Sequence, residues 1–161
     1  VNSEIPAIYA PKLAADTAGV GERIIAALIA AACLTVLLIA RILAPNPAGV
    51  GTHTAMGLPS CEFLARTGIP CPTCGMTTSF SHFVRGNVAA SLYVQPMGTV
   101  LATLTAATFW AAAYMAITGL PVLRLLRILP ARYYFLPLMF LAVAAWGWKI
   151  FIHLQGIDGW R

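Results

Sequence analysis

Charge is what this chain has least of. Ten Lys or Arg and five Asp or Glu make up only 9% of its 161 residues, while 60% are hydrophobic. An ordinary soluble domain carries roughly 25% charged residues. The runs Ile24–Ala40, Gly98–Leu120 and Tyr134–Trp148 contain no acid or base at all, and what remains is too little to clothe a water-soluble domain. Each run reaches or approaches the roughly 17–20 residues that cross a hydrocarbon core. Arg41 and Lys149 stand where the two shorter runs can extend past them, their long side chains reaching for the interface. The expected fold class is all-α: an integral membrane protein with three transmembrane helices and a Cys-containing interfacial helical loop.

Further absences narrow the function. The net charge is +5, yet the basic residues are scattered singly with no run or stripe, which sets nucleic acid aside. No internal repeat is visible, against a transporter built from inverted halves. Lys149 is the one ionisable residue in the body of a span, so a proton or ion relay has no second group to use. Near the exit interface it is expected to snorkel. The chain also offers no acid/base pair, nucleophile with base or phosphate loop, which weighs against an enzyme without closing the question and singles out no catalytic residue.

The chain divides as a single membrane domain, 1–161: an arm (1–23), span 1 (24–44), a Cys loop with an amphipathic helix (45–96), span 2 (97–120), a basic loop (121–132), span 3 (133–153) and a tail (154–161). The first apolar stretch is longer than the roughly 7–15 residues of a signal core, and Pro45 after Ala44 disfavours cleavage, so it reads as a retained anchor. Arg124, Arg127 and Arg132 crowd one short loop without an acid. The positive-inside rule puts that loop and the N-terminus in the cytoplasm, with the Cys loop and C-terminus outside.

Small residues at four-residue spacing suggest packing faces: Ala26 with Ala30, Ala27 with Ala31, the line Thr103, Ala107, Ala111, and Ala145 near Gly147. Tyr133 and Tyr134 at one end of span 3, and Trp146, Trp148 and Trp160 at the other, read as interfacial belts. Trp110 sits mid-span, as a packing or lipid-facing side chain or as an anchor against a partner helix, pigment or quinone.

The chemical clue is sulfur. Cys61, Cys71 and Cys74 lie in the loop, flanked by His53 and His82, and Cys33 sits inside span 1 as a small apolar filler. In Cys71-Pro72-Thr73-Cys74-Gly75, proline fixes one backbone angle and glycine permits a tight turn, so the sulfurs can converge. Three chemistries stay open. One is a disulfide, natural to an oxidising compartment. Another is a closed zinc site of Cys61, Cys71, Cys74 and a histidine, His82 being the candidate. The third is thiol–disulfide exchange by the C-x-x-C pair, although no β-α-β pattern surrounds it. Stapling by metal or disulfide carries most weight, and one structural zinc is the only cofactor expected.

Beyond the cluster, Thr77–Val84 reads as a short helix capped by Thr77 or Thr78, with Phe80, Phe83 and Val84 facing the membrane. Asn87 is expected to cap a helix that runs with a kink through Pro96 into span 2.

The stretch Cys61 through Gly98 resembles the core of a bacterial membrane-protein family, domain of unknown function family 2752. The pattern is C-P-x-C-G-[ML]-T-R, an aromatic, R/H-G-[DN] and N-P-x-G. It is matched by Cys71, Pro72, Cys74, Gly75, Met76, Thr77, Phe80, Arg85, Gly86, Asn87, Pro96 and Gly98. Gly57-Leu58-Pro59-Ser60-Cys61 and Thr67-Gly68-Ile69-Pro70 fit as well. Thr78 stands where the common form has arginine, and Gln95 where it often has asparagine. Any anion site or ion pair built on that arginine is lost here. The resemblance implies a bacterial inner membrane location and a structured Cys loop, and brings no activity with it. The expected role is a non-catalytic accessory subunit of a larger membrane complex, such as a respiratory or photosynthetic assembly. Its expected partners are membrane lipids and other integral subunits, with Trp110, Phe80, Phe83, Trp146 and Trp148 as packing or partner residues. The alternative is a metal- or thiol-dependent membrane redox protein using Cys71 and Cys74.

Overall fold

The computed structural model describes residues 17–120 and 132–160, without the side chains of 132–134. Three of its helices are long and apolar enough to cross a membrane: α1 (Val20–Ile42), α5 (Pro96–Thr118) and α6 (Arg132–Leu154). Between α1 and α5 lie a 3-10 turn (Thr52–Met56), α2 (Glu62–Thr67), α3 (Met76–Phe83) and α4 (Val88–Val94). No strand occurs among the described residues. The arm as far as residue 16 and the loop 121–131, with Arg124 and Arg127, lie outside them, as do the side chains of Arg132, Tyr133 and Tyr134.

Helices α1 and α5 run antiparallel, and each ends on an arginine. Arg23, in the first turn of α1, donates to the carbonyls of Ala116 (3.0 Å) and Ile117 (3.1 Å) at the end of α5. Arg85, beyond α3, donates to Ala40 (3.1 Å) and Arg41 (2.7 Å) at the end of α1. The last carbonyls of a helix have no donor of their own and carry partial negative charge, so a guanidinium satisfies both needs. Between these ends the contact stripe is small: Ala26, Ala30 and Ala40 on α1, and Gly98, Thr99, Ala102, Ala112 and Met115 on α5, are buried. Ala26 and Ala30 are on the face read from sequence. Thr103 and Ala107 instead point outward, because Gly98 sets the register where α5 meets α3. A Cβ on Gly98 would lie 2.8 Å from Ser79 Cβ.

Helix α3 turns its hydroxyl face inward and leaves its Phe face on the outer side, as a membrane-facing Phe80 and Phe83 require. Its buried residues are Thr78, Ser79 and Ser81, while Phe80 and Phe83 remain partly exposed. Ser79 Oγ lies 2.9 Å from Ser91 Oγ and 3.2 Å from Thr99 Oγ1. Thr78 and Thr52 hydroxyls meet at 2.8 Å, and Ser81 donates to the Leu43 carbonyl. Where lipid surrounds the protein, apolar side chains turn outward at little cost, whereas hydroxyls need partners within. The cap is Gly75, at φ 87°, not Thr77 or Thr78.

Asn87 caps α4 as expected, its Oδ1 accepting from Ala90 N at 3.0 Å. The passage into α5 is a break rather than a kink. Gln95 is extended (φ −160°, ψ 99°) and Pro96 opens α5. A residue before proline is pushed out of the helical region, and proline at a first helical position forfeits no bond.

Candidate functional site

The loop's thiols converge. Cys61 stands at the N-cap of α2, and Cys71 and Cys74 in the turn that leads to Gly75 and α3. One sulfur from each lies within 4.8 Å of the other two. Cys71 and Cys74 Sγ are 3.1 Å apart, and Cys71 Sγ is 3.2 Å from Thr73 Oγ1. Cys74 is buried, Cys61 and Cys71 half-buried. Cys33 is half-buried within α1, remote in sequence and outside the cluster.

The two turn cysteines differ in acidity. Burial works to raise Cys71, but hydrogen bonds from Thr73, Cys74 and Cys61 together outweigh it and bring the thiol down to about 7. Burial, joined by contacts with Cys71 and Cys61, pushes Cys74 up to about 12. The sulfurs thus divide their shared hydrogen bonds in favour of one thiolate, and the more exposed cysteine holds it.

Three groups hold the turn in place. Gln95 Nε2 donates to the Pro72 carbonyl at 2.8 Å, and Trp146 Nε1 to the Pro70 carbonyl at 2.9 Å. The third is Lys149, and here the snorkelling expectation is corrected. Its side chain is fully buried, with Nζ 3.0 Å from Asp158 Oδ1 and 3.3 Å from the Gly49 carbonyl. A Cβ on Gly75 would come within 3.4 Å of Lys149 Cε, so the lysine stem lies under the thiol turn. The tail supplies a counter-ion, so the charge need not reach water. His153 Nδ1 lies 2.5 Å from the other Asp158 oxygen. Gly49 (φ 71°) and Gly159 let tail and loop backbones touch: a Cβ on either would overlap the carbonyl of Asp158 or of Pro47.

The other residues read from sequence are placed as follows. His82 ends α3, where burial and the Arg85 charge lower its pKa, and it is not among the grouped thiols. His53 Nε2 lies 3.2 Å from the Pro59 carbonyl. Trp148 donates to the Tyr93 carbonyl at 2.7 Å, and Tyr93 meets Trp148 and Trp160 edge-on. Trp146 and Trp148 therefore dock the loop onto α6 in addition to marking one end of the span. Trp110 is 71% exposed and touches Phe109. Phe80 lines an apolar groove of about 300 Å³ with Val36, Ile39, Ala40, Met56, Met76 and Thr77.

Sequence reasoning missed Asp158, Gly49, Gly159, the structural part of Gln95 and the two capping arginines. Asp158 left a signal as the sole acid after the third span, and Arg85 and Gln95 stood out as positions of the family pattern.

No curated protein and no solved structure matches the chain. The stretch that holds all three loop thiols, α2 to α4 and the first two thirds of α5 does match a family model, which bears out the family resemblance read from sequence. Over residues 61–110 the chain is similar to the family described as protein of unknown function (DUF2752).

Proposed function

We propose that this is a non-catalytic structural subunit of a larger membrane assembly, in which Cys61, Cys71 and Cys74 bind one thiophilic metal ion, zinc by preference. The observation that carries the metal is the convergence of three sulfurs from two separate loop segments within 4.8 Å. A disulfide would use two of them and strand the third. Zinc holds sulfurs at about 2.3 Å, hence about 3.8 Å from one another in a tetrahedron, within the span of this group. Metal binding would join the N-cap of α2 to the turn before α3 and fasten the loop to the helix ends. The subunit role rests on exposed apolar side chains along all three long helices, Ile117, Phe140 and Leu154 among them, which suit lipid and neighbouring helices alike. The residues 124, 127 and 132 favour an inner-membrane topology with the N-terminus cytoplasmic and the thiol loop periplasmic.

A second reading, thiol–disulfide exchange, has its own observation: Cys71 is the more exposed and more acidic thiol, with Cys74 3.1 Å behind it. That is the arrangement of an attacking and a resolving thiol. Purification in mild detergent, with metal analysis and counting of alkylatable thiols before and after denaturation, separates the two. About one zinc per chain and three thiols released only on denaturation supports the metal. A metal-free protein whose Cys71 alkylates in the native state, and whose Cys71–Cys74 pair oxidises and reduces reversibly, replaces it with the exchange reading, whereas a fixed disulfide keeps the structural role without the metal.

A further inference from the structure

We propose that the metal held by Cys61, Cys71 and Cys74 has three protein ligands only, and that its fourth position takes an exchangeable neutral donor: water at rest, and an imidazole when one is offered. This rests on the metal reading above and replaces the closed site expected from sequence with an open one. Structural zinc is closed by four protein ligands, whereas an open site keeps three and a solvent molecule.

The chain has three histidines. His53 Nε2 is at the Pro59 carbonyl, and His153 is held by Asp158. His82 lies at the last turn of α3, beside the charge of Arg85. Among the described acids, Glu22 accepts from the Gly19 amide, Glu62 pairs with Arg66, and Asp158 pairs with Lys149. Cys33 is inside α1. Among the described residues the donor set therefore stops at three.

Charge then selects the class of the fourth ligand. A divalent ion with three thiolates carries a single net negative charge. A fourth thiolate would double it in a half-buried site at the membrane edge, while water or a neutral nitrogen adds none. Cys61 and Cys71 are partly exposed, so the cluster is reachable from solvent. Under the turn, Gln95 Oε1 is buried with no hydrogen-bond partner among the described residues. A buried acceptor of that kind is ordinarily met by ordered water.

The experiment uses the full chain in mild detergent, with cobalt(II) in place of zinc so that its visible d–d absorption reports the ligand set. Added imidazole is expected to shift the bands in a saturable way that reverses on its removal, with the metal-to-protein ratio unchanged. His53→Ala and His82→Ala are expected to keep both the metal and the resting spectrum. A spectrum indifferent to imidazole, cobalt stripped by it, or loss of metal in either histidine variant overturns the open site while leaving the metal staple standing. Absence of any bound metal, with Cys71 and Cys74 oxidised, overturns both.

Discussion

Lys149 shows how far one residue can depart from its expected behaviour. A lysine one turn from the end of an apolar helix has a cheap route to water, and snorkelling is the ordinary outcome. Here the tail brings Asp158 to within 3.0 Å and the side chain stays buried. Taking away one partner of a buried pair strands the other charge, a loss of about 3–5 kcal/mol, whereas replacing both with apolar groups is often close to neutral. Lys149→Met is therefore expected to lower the unfolding midpoint sharply, and Lys149→Met with Asp158→Leu to recover most of it. Thermal unfolding in detergent, run as a double-mutant cycle, checks this. The thiols offer a pH test in the metal-free protein. Because the thiolate is the reactive form, alkylation of Cys71 should climb as pH rises through about 7, while Cys74 stays protected until near 12. Mass spectrometry of the labelled peptide resolves the two sites. Neither residue's environment was visible in the sequence, since Cys61 reaches the turn only through the path of α2.

At the scale of elements, the helix ends and crossings decide most. Gly98 sits where α5 crosses α3, with Ser79 Cβ 2.8 Å from any added Cβ. Gly98→Ala should force the crossing apart and break the hydroxyl network of Ser79, Ser91 and Thr99, at a cost of about 1–3 kcal/mol as for other overpacked sites. Ser79→Gly in the same chain should relieve the clash, which the unfolding midpoint would register. Arg85→Gln removes the guanidinium from the carbonyls of Ala40 and Arg41. Faster amide hydrogen exchange is expected in the loop just beyond α1, with α5 unaffected. Helix existence was plain from hydropathy, and the Asn87 cap and Pro96 boundary from residue type. The outward Phe face of α3 was legible as well, but the hydroxyl network behind it was not, because Ser91 and Thr99 reach Ser79 from other helices.

For the whole molecule, the loop and the tail are one structure. The Ile157 carbonyl accepting from Tyr93 OH at 2.7 Å and Trp160 against Tyr93 tie the tail to α4, and Asp158 pairs with Lys149 of α6, which itself donates to the Gly49 carbonyl in the loop. Truncation after Leu154 should therefore loosen the thiol turn as well as the tail. The expected result is faster native-state alkylation of Cys74 in the truncated chain, and equal rates in the two chains would show the tail to be dispensable. The same contacts require the loop and C-terminus to share one side of the membrane, which labels of known permeability can verify in intact vesicles.

Hydropathy alone determined that three helices are long and apolar enough to cross a membrane, because length and charge content are local properties of each run. Spacing around Pro72 and Gly75 likewise set a turn that could bring Cys71 and Cys74 together. Tertiary structure alone decided that Cys61 joins them, that the histidines do not, and that Lys149 is neutralised within the protein. Each of those depends on segments distant along the chain being carried to the same helix end, and local sequence holds no record of that distance.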